Sequence, residues 1–169
     1  YLLFPSIGNC GMSRQIIIGD VHGCYHTLMA LLSQIDYQSD DQLYFLGDLV
    51  GKGPHADRVL DFCVSNGVRS VLGNHDLSWL RAYFLGGESA SNRDDFLASL
   101  SHQNAPLWAD FLLKQPFVDL QDFGLLVHAA VDPSWTIDEL LLINQDLVND
   151  LRKNPEGFFK EMVKPICKK

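Results

Sequence analysis

The sequence predicts an α/β fold built on a mostly parallel sheet, and three observations predict it. A short apolar run, a Gly-containing turn and a helical pattern recur in that order three times in the first half. The first run, Gln15–Ile18, is rich in β-branched residues and too short for a helix. The composition, 47% hydrophobic and 20% charged over 169 residues, is that of one ordinary globular domain. Strands alternating with helices imply βαβ units.

The elements follow in order. Residues 15–18 are predicted as a buried strand. Residues 26–35 carry Leu28, Leu31, Leu32 and Ile35 at helical spacing. A second strand is predicted over 43–46, and a helix over 57–64 with Val59, Leu60 and Val64 on one side. A third strand is predicted over 68–72 and a third helix over 77–84. Residues 86–92 are a Gly/Ser-rich loop. Two helices predicted over 94–100 and 106–113 could form a lid beside a site or simply pack. Strands are then predicted over 117–120 and 124–128 around a turn at 121–123. Residues 138–144 and 155–163 are predicted as the last helices.

Composition excludes several classes. The longest apolar runs, such as Ile16–Ile18 and Gly124–Val127, fall far short of the ~20 residues that span a bilayer. Net charge is −8, a poor basis for non-specific nucleic-acid binding, which needs Lys and Arg to replace counterions. Neither a nucleic acid nor a membrane is therefore expected as a partner. An acidic enzyme can still bind phosphate if metal ions supply the positive charge. Cys10, Cys24, Cys63 and Cys167 are scattered without a Cys-x-x-Cys pair, which points to reduced thiols and a cytoplasmic setting. Tyr1–Gly11 lacks a basic segment followed by a long apolar stretch and makes a poor signal peptide. We expect residues 1–11 to be a non-native or disordered extension and residues 12–169 to be the domain, with Met12 as the natural start.

Four strand-to-loop junctions carry the chemistry: Ile16–Gly23, Leu43–Pro54, Ser70–Asp76 and Gly124–Pro133. Each sets Asp, Asn or His directly after an apolar strand. In open α/β sheets, loops at the carboxyl ends of the strands gather along one edge and form the ligand crevice. Asp20, His22, Asp48, Asn74, His75 and His128 should therefore converge. Carboxylates, imidazoles and an amide make a mixed oxygen and nitrogen donor set without thiolate, which excludes a structural zinc site. It suits Mn²⁺, Fe, Co²⁺, Ni²⁺ or catalytic Zn²⁺. A carboxylate can bridge two ions ~3.5–4 Å apart, the clamp used in phosphate-ester hydrolysis. Alone, each residue is ordinary, since an Asp after a strand usually serves a turn or a helix cap. The combination of Gly-Asp-x-His-Gly, Gly-Asp and Gly-Asn-His-Asp is the specific signal.

Gly19-Asp20-Val21-His22-Gly23, Gly47-Asp48 with Gly53, and Gly73-Asn74-His75-Asp76 resemble the calcineurin-like metallophosphatases. The longer strings GDVHGCYHTLMALL, GDLVGKGP, VLGNHDLSWL and LLVHAAVDPSW are similar to one branch of them, the symmetrical diadenosine tetraphosphatases. The resemblance runs from Met12 to the C-terminus. It implies an α/β sandwich of two mixed β-sheets flanked by helices, with a dinuclear metal centre. It implies hydrolysis of a dinucleoside polyphosphate, diadenosine tetraphosphate, to two ADP. Two divalent ions are implied, Mn foremost, with Co, Fe, Ni or Zn as alternatives. Asp20 and His22 would bind the first ion, Asp48 would bridge, and Asn74 and His128 would bind the second. His75 would contact the phosphate or protonate the leaving oxygen, or else make only a structural hydrogen bond. Lys52 stands where the family usually has a phosphate-binding Arg. Ala130 replaces a family glycine and would be strained if that position needs a positive φ. The family also supplies a later Gly-His ligand and more of the second sheet, which would make this chain an N-terminal portion with an incomplete second sheet. The alternatives are a serine/threonine phosphoprotein phosphatase-like hydrolase, against which Gly51 and Lys52 replace an Asp-Arg pair, and an inactive metal- or nucleotide-binding fragment.

Overall fold

The computed structural model describes residues 14–86 and 94–162. Strands β1 (Gln15–Ile18), β2 (Gln42–Phe45) and β3 (Arg69–Ser70) form a parallel sheet in that order. Its register pairs Ile18 with Phe45 and Phe45 with Ser70. Helices α1 (Tyr25–Gln34) and α2 (Ala56–Asn66) are the crossovers, and α3 (Asn74–Leu85) leaves the end of β3. Helices α4 (Asp94–Leu100) and α5 (Ala105–Leu113) follow. Strands β4 (Val118–Gln121) and β5 (Gly124–Val127) form an antiparallel pair, ahead of α6 (Ile137–Lys153) and α7 (Pro155–Met162).

The two-residue period of β2 sorts its side chains onto two faces. Leu43 and Phe45 join a helical core with Val59, Leu60, Trp79, Trp108 and Leu112. Tyr44 points the other way and packs with Val71 of the sheet end and Leu126 of β5. The layers are thus helices, parallel sheet and antiparallel sheet. The pair α4 and α5 is a packing unit: Phe96, Trp108 and Leu112 are buried, and Trp79 Nε1–H donates to Ser99 Oγ at 2.9 Å. At the other end of the sheet Arg14 clips β1 to the approach to β2. Its Nε–H and Nη2–H donate to the Asp41 carboxylate at 2.8 and 2.6 Å. Those hydrogen bonds hold the Asp41 carboxyl down to about 2.

Several boundaries differ from the predicted ones, each for a local reason. The third helix begins at Asn74, a turn before the apolar period at Leu77, because Asp76 closes a capping box with the Gly73 backbone. The third strand pairs over only two residues. Beyond it Val71 N–H still donates to Phe45 O at 3.1 Å, but Leu72 N–H turns away to Pro116 O at 2.8 Å. Helix α2 continues past Val64 until Gly67 takes a left-handed φ of 57°. Helix α6 runs nine residues past Asn144, the predicted end. Its buried stripe of Leu140, Val148 and Leu151 continues around a polar position, Asn144, which interrupts the apolar pattern. Residues 1–11, Met12, most of the 86–92 loop and Val163 lie outside the described residues.

Candidate metal centre

The carboxyl ends of β1, β2 and β3 and the end of β5 bring the predicted residues together. Two loops are stitched into one rim. Val21 and His22 N–H donate to Asp48 O at 3.1 and 2.7 Å, Gly23 N–H to Leu49 O at 2.8 Å, and Gly53 N–H to His22 O at 2.5 Å. These bonds hold His22 and Asp48 in left-handed conformations, with φ of 51° and 52°. Such backbone states are costly for residues with a Cβ and cluster at functional sites.

Asp48 lies at the middle and is 3% exposed. Its Oδ2 is 3.7 Å from His22 Nε2, and its Oδ1 is 3.6 Å from His128 Nε2. His22 Nε2 is also 3.3 Å from Asp20 Oδ2, and His128 Nε2 is 3.1 Å from Asn74 Oδ1. Both imidazoles are oriented from behind. His128 Nδ1–H donates to Leu46 O at 2.7 Å, and His22 Nδ1–H donates to Val50 O at 3.2 Å. A carbonyl can only accept, so each Nδ1 carries a proton, and Nε2 is the ring nitrogen left to face the carboxylates and bind an ion. That is the tautomer a metal ligand needs. One donor atom each from Asp20, Asp48 and His128 lies within 4.8 Å of the others, as does one each from His22, Asp48 and His75. Asp48 belongs to both groups, and its two oxygens serve different sides. This donor chemistry fits two divalent cations.

His75 is in the first turn of α3. Its N–H donates to Asp48 Oδ1 at 2.8 Å, and its ring meets His22 edge to face at 4.8 Å. Lys52 is exposed on the same rim and lies outside the convergent cluster. Ala130 is unstrained, since among the described non-glycine residues only His22, Asp36 and Asp48 have positive φ. His26 and His55 pack ring to ring at 4.9 Å, and His102 stacks on Trp108 at 4.7 Å, all outside the cluster.

Two contributors escaped the sequence reading. Gly51 has a φ of 140°, and a Cβ there would stand 2.7 Å from His22 Nδ1 and 2.8 Å from His75 Nδ1. Only glycine lets both rings sit against this loop. Asp76 is wholly buried and accepts N–H bonds from Leu49, Gly73 and Val50 at 2.9, 3.0 and 3.3 Å. It ties the Asp48 loop to the α3 terminus. Burial pushes its carboxyl up to about 7; the Asp48 charge adds to the rise, and the three donors oppose it. Its place three residues after Gly73 is the signal that could have marked it.

Known proteins resemble this chain in sequence, and solved structures resemble it in fold. It is 37% identical over 148 residues to the symmetrical bis(5'-nucleosyl)-tetraphosphatase of Klebsiella pneumoniae, covering 85% of this chain and 52% of that one. The protein of that name from Neisseria meningitidis is 35% identical over 150 residues, covering 86% and 54%. The chain spans about half the length of the curated relatives it matches. A crystal structure assigned to a diadenosine tetraphosphatase superposes with a TM-score of 0.63 at 27% identity, covering 80% of this chain and 56% of that one. A yeast protein serine/threonine phosphatase shares the fold at a TM-score of 0.55 and 20% identity, covering 75% and 42%. The calcineurin-like phosphoesterase family matches residues 13–165, so from the first strand to beyond the last described helix the chain belongs to the calcineurin-like phosphoesterases.

Proposed function

We propose that this chain carries the dinuclear centre of a hydrolase that splits diadenosine tetraphosphate into two ADP. The observation that supports it most is Asp48, buried between two imidazoles with one oxygen toward each. Asp20 and His22 would hold one ion, Asn74 and His128 the other, and Asp48 both. Divalent ions bound there, Mn²⁺ foremost, supply positive charge to phosphoryl oxygens and make water acidic enough to attack at neutral pH. The chain's own residues do the rest. The Val50 and Leu46 carbonyls fix the imidazoles, so little reorganisation is needed when phosphate arrives. His75, pinned by its N–H to Asp48, would donate to the leaving oxygen. Lys52, free on the rim, would draw in the phosphate chain as a point charge. In the balanced reaction water adds to the second phosphorus and the bond to the bridging oxygen of the third breaks. The water's two hydrogens divide between two ADP.

The names of the relatives support this substrate over a phosphoprotein. So does Gly51: the Asp usual there in protein phosphatases would meet the His22 and His75 rings at a φ of 140°. No helix among the described residues is long and apolar enough to cross a membrane. The test is incubation with diadenosine tetraphosphate and Mn²⁺ beside a phosphoserine peptide. ADP as the sole nucleotide product is expected. A mixture of AMP and ATP contradicts symmetric cleavage, and turnover of the peptide alone transfers the reading to a protein phosphatase.

A further inference from the structure

A cavity of about 370 Å³ opens beside the metal centre and shares Asn74 and His128 with it. Its remaining lining is mostly apolar and includes Ala130, Trp135, Leu140 and Asn144. The volume is in the range of small-ligand sites. Trp135 is 46% exposed, whereas Trp79 and Trp108 are fully buried. An exposed indole on a loose loop would mean little, but this one stands on a fixed turn. Asp132 Oδ1 accepts from Ser134 N–H at 2.9 Å and Ser134 Oγ–H at 2.7 Å, and Trp135 N–H donates to Asp132 O at 3.1 Å. The next residue, Thr136, caps α6 through Glu139.

Asn144 provides a second, independent observation. Its Oδ1 accepts N–H bonds from Phe117 and Val118 at 2.9 and 3.1 Å, at the start of β4. Two N–H donors can be met only by the amide oxygen, so the side chain cannot flip. The Nδ2 donors have no partner among the described residues, and no buried side-chain nitrogen or oxygen lacks one. The amide NH₂ is therefore accessible and held in one orientation on the cavity wall. A flat π-surface on a rigid turn, a fixed donor and the small residues Ala129 and Ala130 in one lining suit an aromatic heterocycle with ring-nitrogen acceptors.

We infer that this cavity is the purine subsite of the nucleotide substrate, with the base stacked on Trp135 and a ring nitrogen accepting from Asn144 Nδ2. The same cavity is lined by His128 and by Trp135, so a nucleotide with its phosphates at the centre would place its base in this cavity. This assignment rests on the nucleotide reading of the metal centre. Adenine and guanine both carry ring-nitrogen acceptors, whereas the ring nitrogens of uracil offer no free lone pair, so the subsite selects a purine over uracil.

The test uses ADP, UDP and inorganic pyrophosphate as probes, with binding measured by calorimetry in Mn²⁺. Trp135→Ala should weaken ADP about tenfold, which is about 1.4 kcal/mol, leaving pyrophosphate unchanged, and Trp135→Phe should restore most of it. Asn144→Asp keeps the acceptor for Phe117 and Val118 but removes the donor, so it should weaken ADP more than pyrophosphate at unaltered thermal stability. Wild-type protein should prefer ADP to UDP. Equal ADP affinity in Trp135→Ala, or equal losses of ADP and pyrophosphate, overturns the subsite. The first result would leave the apolar lining as a protein contact and the second as a structural element. The hydrolytic reading fails separately: selective loss of ADP in Trp135→Ala, with no cleavage of diadenosine tetraphosphate by wild-type protein, would keep the subsite and remove the reaction.

Discussion

Asp48 shows how one side chain can organise a site from three loops. Its carbonyl oxygen holds the first loop through two N–H bonds, its Oδ1 accepts from His75 N–H, and its two oxygens face His22 and His128. Asp48→Asn should therefore remove most bound metal, because it takes the charge from the group proposed to serve both ions. Metal analysis after dialysis checks this, and two ions per chain in the variant would contradict the bridging role. Gly51 makes a subtler demand. Gly51→Ala adds a methyl against two imidazoles and strains a φ of 140°. Displacing either ring should weaken Mn²⁺ binding about 10–100-fold, the usual cost of disturbing ligand orientation. Titration calorimetry would show it, and wild-type affinity would mean that the loop moves aside. The convergence of Asp20, His22, Asp48, Asn74, His75 and His128 was legible because each follows a strand, and strand ends share an edge. The roles of Gly51 and Asp76 were not, since they depend on how closely loops about 25 residues apart approach one another. Lys52 has no structural bond to lose, so Lys52→Ala should lower kcat/KM for a phosphate substrate while leaving the melting temperature unchanged. A shift in melting temperature would instead assign it to the fold.

Among the elements, α6 best separates what periodicity reveals from what it hides. Its start, predicted at 138, lies one residue from the observed Ile137, where Thr136 and Glu139 form a capping box. Its end was not, because Asn144 occupies a core-facing position where the apolar stripe calls for Leu or Val. That polar residue is there for another element: it satisfies the N–H groups of Val118, the first residue of β4, and of Phe117 just before it. The predicted end at Asn144 thus mistook a contact with β4 for the end of α6. Thr136→Ala should destabilise the protein by about 1 kcal/mol, the usual loss of an N-cap. Glu139 returns the bond, accepting from Thr136 N–H at 2.9 Å, and that bond lowers its pKa in the folded protein. A lowered carboxyl favours the ionised form of the fold, so its contribution is present above the ordinary Glu range near ~4.3 and is lost as pH falls through the folded value. The difference in melting temperature between wild type and Glu139→Ala should accordingly be largest near neutral pH and shrink on acidification. A difference that is constant from neutral to acid pH would show that packing, not the charge, is at work.

At the scale of the whole molecule, the two sheets make the centre a joint between layers. Asp48 belongs to the parallel sheet, while His128 follows β5 of the antiparallel pair. The His128 Nδ1–H bond to Leu46 O and the packing of Tyr44, Val71 and Leu126 join them. Sheet-to-sheet packing therefore sets the 3.6 Å separation of His128 Nε2 from Asp48 Oδ1. Asp20, His22 and Asp48 lie on loops of the parallel sheet and His75 in the first turn of α3, so they have no such dependence. Leu126→Ala removes apolar volume from the joint, and Leu112→Ala removes as much from the helical core on the opposite face. Each should cost roughly 2–4 kcal/mol as a buried Leu truncation. Their effects on metal should differ. Leu126→Ala should weaken the ion proposed to sit at Asn74 and His128, producing two resolved steps in a Mn²⁺ titration. Leu112→Ala should titrate as wild type despite similar thermal destabilisation. Identical titrations for the two variants would mean that the hydrogen bond to Leu46 O holds His128 alone, and that the second sheet contributes stability without setting the geometry of the centre.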